Sequence, residues 1–232
     1  MSTAFVSEKP RAAGAEAQRR APFAPDRQRQ FNARARELNI LPIKVTPHYG
    51  RLVQEEYETL GCAGGPLYRV VYPAADRLDI QVSHEVPDFV EDQSNMPSGL
   101  ANVLIHKYER RALFLVTDKC AGHCMYCFRQ EVLTDIHGNP VPDLETRLDA
   151  VIGYLARHPN ISELILSGGD PLNIPLRHLA RLFERLALET AVTDIRVHSR
   201  NLVFAPHVVT DQVADLLGRY RVRIYIHVVH PY

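Results

Sequence analysis

Along the second half of the chain, apolar residues follow two alternating periods. Short apolar runs stand at Ala112–Val116, Leu164–Leu166, Ile195–Val197 and Val222–Val229. They are of strand length, as expected of strands buried in a sheet. Between them, at Asp143–Arg157, Leu176–Glu189 and Thr210–Tyr220, apolar residues recur at steps of three and four, the spacing of amphipathic helices. Strands and helices alternating at these lengths predict an α/β fold with a parallel sheet and right-handed crossovers, in the order β-α-β-α-β-α-β.

Upstream the pattern is weaker. A short helix is expected near Asp26–Leu38, followed by a connection at Leu41-Pro42-Ile43-Lys44. From Val45 to about Leu104 the chain is broken by Pro47, Gly61, Pro66, Pro73, Pro87 and Pro97, and reads as irregular. The expected organisation is a disordered arm over 1–30, an N-terminal wrap over 31–105 and an incomplete βα core over 106–232. The fourth predicted strand is apolar with no successor, and parallel strands are normally covered on both faces. The expectation is that the chain is cut short, or that another chain covers this edge.

Composition narrows the class. The 232 residues are 46% apolar, enough to fill a core, and carry 27 basic and 27 acidic side chains. A balanced charge gives no general attraction to nucleic acid or anionic membrane. No apolar run approaches the ~18 residues of a membrane span. The start of the chain lacks the apolar stretch of a signal peptide, and Glu8, Glu16 and Asp26 argue against a transit peptide, so a cytoplasmic location is expected.

Cysteine usage carries the chemistry. Cys120, Cys124 and Cys127 lie within eight residues, directly behind the first predicted strand, while Cys62 is remote. Soft thiolates this close suit an iron–sulfur cluster or zinc. Three thiolates on a four-iron cluster leave one iron open to a substrate. The zinc alternative needs a fourth ligand from His123 or Cys62, and chance clustering of core thiols is a third reading. The remaining polar motifs also fall at predicted carboxyl ends of strands, where parallel βα folds gather their sites. Ser167-Gly168-Gly169-Asp170-Pro171 follows strand two, His198-Ser199-Arg200 ends strand three, and His227 and His230 end strand four. Asp170 and Pro171 also fit a plain helix start, and the two histidines a plain strand end.

The Cys-x-x-x-Cys-x-x-Cys spacing is that of the radical S-adenosylmethionine (SAM) enzymes. With Cys127-Phe128-Arg129, Leu166 to Leu172, Arg196-x-His198-Ser199-Arg200 and His227-Val228-Val229-His230-Pro231, the region from about Pro97 to Tyr232 resembles the lysine 2,3-aminomutase family, including its branch acting on elongation factor P. The resemblance implies a partial (β/α) TIM-like barrel of the radical SAM type, with about four βα units present behind an irregular or helical wrap. It implies a [4Fe-4S] cluster on Cys120, Cys124 and Cys127, and SAM on Tyr126, Ser167, Gly168, Gly169, Asp170, Ser199, His227 and His230. It further implies pyridoxal phosphate (PLP) on Lys107, Tyr108 and Arg111, and the substrate carboxylate on Arg129. The implied reaction is amino-group migration from the α- to the β-carbon of an amino acid, and the implied partner is a small-molecule amino acid or a lysine side chain of a protein. Hydrogen abstraction by the 5′-deoxyadenosyl radical starts it, after an electron from a flavodoxin or ferredoxin. Nucleic-acid and membrane partners are not implied, and a homo-oligomer is compatible. Two positions depart from the family pattern: Lys107 replaces an arginine and Val229 an asparagine. The PLP-anchoring lysine and the acids that bind the substrate side chain lie, in the family, beyond Tyr232. A radical SAM enzyme without PLP and a non-catalytic cluster-binding remnant are the alternatives.

Overall fold

The computed structural model describes residues 23–74, 76–79, 86, 88–138 and 141–228, with no side-chain description for 135–138. The sheet has five strands in sequential order: β1 (Leu104–Tyr108), β2 (Arg111–Thr117), β3 (Glu163–Gly168), β4 (Asp194–Ser199) and β5 (Arg223–Ile226). The last four are parallel, as the periodicity predicts. The crossover helices α5 (Leu144–Arg157), α6 (Leu176–Glu189) and α8 (Asp211–Arg219) match their predicted spans, with α4 (Gln130–Gly138) before α5 and the short α7 (Asn201–Phe204) before α8. The result is a mixed α/β fold.

Helix and strand patterns interlock on one face. Ala112, Phe114 and Val116 of β2, Leu164 and Leu166 of β3, and Ile195 and Val197 of β4 pack against Leu148, Val151 and Leu155 of α5 and Leu179, Leu182 and Leu186 of α6. The alternate residues of β2 and β3, Leu113, Leu115 and Ile165, form a smaller cluster on the other face with Ile105 and Val132. On β4 the same face carries Arg196 and His198 in place of aliphatics, as period-two alternation requires.

To the four expected parallel strands the structure adds a fifth strand, β1, that the sequence reading missed. It pairs antiparallel with β2, and Tyr108 lies opposite Arg111, so Glu109-Arg110 make a two-residue turn. Its sequence Leu-Ile-His-Lys-Tyr is short and half polar, as edge strands are, which hides it from an apolar-run criterion.

The stretch read as irregular is also corrected. It holds α2 (Pro47–Leu60) and α3 (Pro66–Val71), preceded by α1 (Pro25–Glu37). Each begins with proline, which suits the first helical position because its missing N–H would have no partner there. Thr46 caps α2 by accepting from the Tyr49 backbone N–H at 3.1 Å, and Gly61 ends it at φ 70°. Pro47 and Pro66, read as breakers, are helix starts. Among the described residues no helix is long and apolar enough to cross a membrane.

Candidate active site

A cavity of about 280 Å³ opens at the carboxyl ends of the parallel strands. Cys120, Cys124 and Cys127 line it, as do Ser167–Asp170, His198–Arg200 and His227. Four segments separated by tens of residues therefore meet in one place. Tyr126 and Arg129 line it too, whereas His230 and Val229 lie outside the described residues.

The cysteine loop has no regular structure of its own and is strapped from upstream. The His123 backbone N–H donates to the Lys44 carbonyl at 2.9 Å, Lys44 Nζ donates to the Cys120 carbonyl at 2.6 Å, and the Met125 N–H donates to the Val70 carbonyl at 2.8 Å. A side chain at Gly122 would stand 3.1 Å from both the Lys44 carbonyl and the Phe204 ring. From α5, Arg147 donates to the Leu115 and Val116 carbonyls at 2.6 and 3.1 Å, holding the strand end from which the loop departs.

All four cysteines are free thiols. Burial pushes Cys120 up to about 12, with the Asp170 carboxylate adding to it, and burial likewise pushes Cys124 up to about 12 against the opposing pull of Arg200. Burial also raises Cys127. Such thiols keep their protons until a metal displaces them. Among the described residues no three or more His, Cys, Asp or Glu side chains are arranged to hold a single metal ion. The fourth zinc ligands considered from sequence do not line the cavity: His123 Nδ1 is 2.7 Å from the Pro42 carbonyl, and Cys62 is exposed beyond α2. Three soft donors around one cavity fit a cluster in which each thiolate takes a different iron.

Asp170 is 5% exposed and its oxygens are fully engaged. It accepts from the Leu172 N–H at 3.0 Å, from Ser199 Oγ at 2.8 and 3.0 Å, and from the Arg200 N–H at 2.7 Å. Burial raises its carboxyl, and these donors pull it back. The cap expected of Asp170 is present, on a three-residue 3₁₀ turn starting at Pro171. The glycines serve the protein itself: Gly168 has φ 100° against the Thr117 carbonyl, and a side chain at Gly169 would stand 2.5 Å from the Lys119 carbonyl. The strand-two loop is thereby pressed onto the cysteine loop.

Arg129 is buried against Asp92, with Nε donating to Oδ2 at 2.9 Å, and Nη1 lies 3.3 Å from Ser167 Oγ. Burial pulls each partner toward its neutral form, lowering Arg129 and raising Asp92, and their attraction opposes this. Asp92 was not singled out from sequence. It sits in a polar stretch before β1, and only the fold brings it to Arg129.

Arg200 Nη1 donates to Cys124 Sγ at 2.7 Å and to the Tyr126 hydroxyl, and Nη2 contacts His227 Nδ1. Burial lowers His227, and the Arg200 charge adds to the effect.

The residues expected around PLP lie elsewhere. Arg111 begins β2, six residues and about 20 Å of strand from Thr117. It pairs with Glu163, while Lys107 Nζ donates to the Val90 carbonyl at 2.7 Å and lies 3.4 Å from Glu91. Tyr108 is exposed. None of the three lines the cavity.

Fold and site together define an α/β protein built around a cysteine loop. Residues 109–205 match the family model described as a 4Fe-4S single cluster domain. Over a longer span the chain is 31% identical to L-lysine 2,3-aminomutase of Escherichia coli (strain K12) across 168 residues, 71% of this chain and 46% of that protein. It is 26% identical to the enzyme of that name from Methanococcus maripaludis, and 29% to that from Acetoanaerobium sticklandii. Each of these matches covers 84% of this chain, and 42% and 44% of the relative respectively. The chain spans about half the length of the curated relatives it matches. By sequence it belongs to the lysine 2,3-aminomutase family of radical SAM proteins.

Proposed function

We propose that this chain carries the cluster- and SAM-binding part of a radical SAM amino-acid 2,3-aminomutase. The observation that supports this most directly is the meeting of the thiols, the Gly168-Gly169-Asp170 loop and the Ser199–Arg200 strand end around one cavity. A four-iron cluster with SAM on its open iron supplies, when bound, a 5′-deoxyadenosyl radical that takes a hydrogen from the substrate. The chain's own residues bind and orient. Cys120, Cys124 and Cys127 hold the cluster, and Arg129, steadied through Nε by Asp92, keeps its outer nitrogens for an amino-acid carboxylate. Leu133 and Phe204 give the cavity apolar wall that keeps water from a radical. Asp170 fixes the Ser199 hydroxyl and the Arg200 backbone, and Tyr126 and His227 flank the space assigned to SAM. A flavodoxin- or ferredoxin-class donor in a reducing cytoplasm belongs to the same proposal.

The residues offered for PLP fit it poorly, because Lys107 and Arg111 are already engaged by Val90, Glu91 and Glu163. The same observation favours a second reading, a radical SAM reaction without PLP.

Anaerobic reconstitution tests the first half of the proposal. Iron and sulfide are expected near four of each per chain, with a reduced electron paramagnetic resonance signal that changes when SAM is added. Stoichiometric tetrahedral zinc without cluster would overturn it. PLP added to a chain extended beyond Tyr232, where the family carries its PLP-anchoring lysine, separates the two readings: an absorbance shift supports the aminomutase, and none supports the second.

A further inference from the structure

Of the two arginines that line the cavity, Arg129 is balanced by Asp92, and Arg200 has a different environment. Among the described residues no carboxylate pairs with the Arg200 guanidinium, since the Asp170 carboxylate takes its backbone N–H instead. The residue is 8% exposed, and its guanidinium lies 5.1 Å from the Tyr126 ring centre and 5.5 Å from that of Phe204. His227 holds one nitrogen and the Cys124 sulfur meets the other. A buried cation is thus fixed by aromatic rings, a neutral imidazole and a backbone anchor, with the Tyr126 hydroxyl and a thiol sulfur as acceptors of one nitrogen. Lys44, which also reaches this loop, donates to the Cys120 carbonyl rather than to a sulfur.

We propose that Arg200 is a positioning residue of the metal centre: its N–H donation to the Cys124 sulfur sets the potential at which a cluster on Cys120, Cys124 and Cys127 takes up an electron. The proposal rests on the cluster reading above and deepens it. Reduction adds one electron, and so one negative charge, to the cluster and its thiolates, and no bond forms or breaks. A fixed cation bonded to one of those sulfurs stabilises the reduced form more than the oxidised form, and more strongly in a poorly solvated site than in water. Hydrogen bonds to ligand sulfur are among the terms by which proteins set such potentials. The anchoring by Asp170 links the strand-two loop to this effect: a displaced Arg200 backbone would carry the guanidinium off the sulfur.

The test is an anaerobic dithionite titration of the reconstituted chain without SAM, followed by electron paramagnetic resonance. Arg200→Met is expected to lower the reduction equilibrium constant about tenfold, which is about 59 mV for one electron. Arg200→Lys, which keeps the charge but loses the planar fork, should fall between Arg200→Met and native. A native midpoint in Arg200→Met overturns the proposal. Where Arg200→Met holds no cluster, Arg200→Lys decides: a midpoint below native upholds the proposal and an equal one overturns it. A native chain that assembles no cluster removes the cluster reading and the proposal with it, an outcome distinct from unchanged midpoints on an intact cluster.

Discussion

The two ends of the same sheet make opposite use of charge. At the amino end, Glu163 contacts both Arg111 and Arg196, and Arg223 Nε donates to Asp194 at 3.0 Å, so cations and anions close on one another across neighbouring strands. At the carboxyl end the thiols remain free, Arg200 bonds to sulfur and imidazole, and a cavity stays open. One end spends its polar groups on cross-strand pairing, and the other keeps donors for something the chain does not itself contain. The difference teaches that arginine count alone does not locate a binding site. What matters is whether a carboxylate already occupies the fork.

The sharpest break between the ends is removal of a thiol. Cys120→Ala, Cys124→Ala or Cys127→Ala should each abolish the reconstituted four-iron signal, while Cys62→Ala leaves iron content unchanged, as chemical iron assay will show. Next comes Asp170→Ala. It strips acceptors from the Leu172 and Arg200 N–H groups and from Ser199 Oγ, and should cost about 1.5–3 kcal/mol in urea unfolding. A native midpoint would mean the loop reorganises without it, leaving SAM binding as the role of Asp170.

At the amino end, Glu163→Gln leaves Arg111 and Arg196 without their shared partner. Because Arg111 is partly open to water, a cost of about 1–3 kcal/mol is expected, between exposed and buried pairs. The cluster spectrum should not change. A changed spectrum would show that the two ends are coupled.

The smallest effect lies between them, at His198, whose buried Nε2 has no hydrogen-bond partner among the described residues. Burial lowers its ionisation, with Arg129 and Arg196 adding to the effect, so it is neutral in the folded chain. The unfolded chain takes up a proton near the ordinary value of 6.5 while the folded one does not. The His198 contribution therefore falls as the pH drops below about 6.5, and levels off once the folded form also protonates. His198→Gln should show a shallower loss of stability between pH 7 and 5 than native protein. Parallel curves would refute it.

The parallel strands and their helices were legible because their apolar periods are long and uninterrupted. The thiol loop and the Asp170 turn were legible because residue type and spacing carry their chemistry directly. The strap was not. Pro47 and Pro66 look alike whether they break a helix or open one, and the distinction lies in capping geometry at Thr46 and Gly65. Nor was Asp92, whose partner Arg129 is 37 residues away. Arg147 hides similarly, as a charged residue on an amphipathic helix whose guanidinium turns inward onto carbonyls. Each depends on contacts between distant segments, which local pattern does not encode.

The Lys44 strap has a kinetic consequence. The two ends of its bond to the Cys120 carbonyl are 76 residues apart. Ordering the cysteine loop thus waits on closure of a long chain segment, and non-local closures of this kind come late in folding. Lys44 leaves the ribosome well before Cys120, so the strap must stay undocked until the strand that carries the loop has paired. The three thiols therefore gain their fixed arrangement only when the strap docks, so the order of the cysteine loop is set by a contact made late and from far away in the chain.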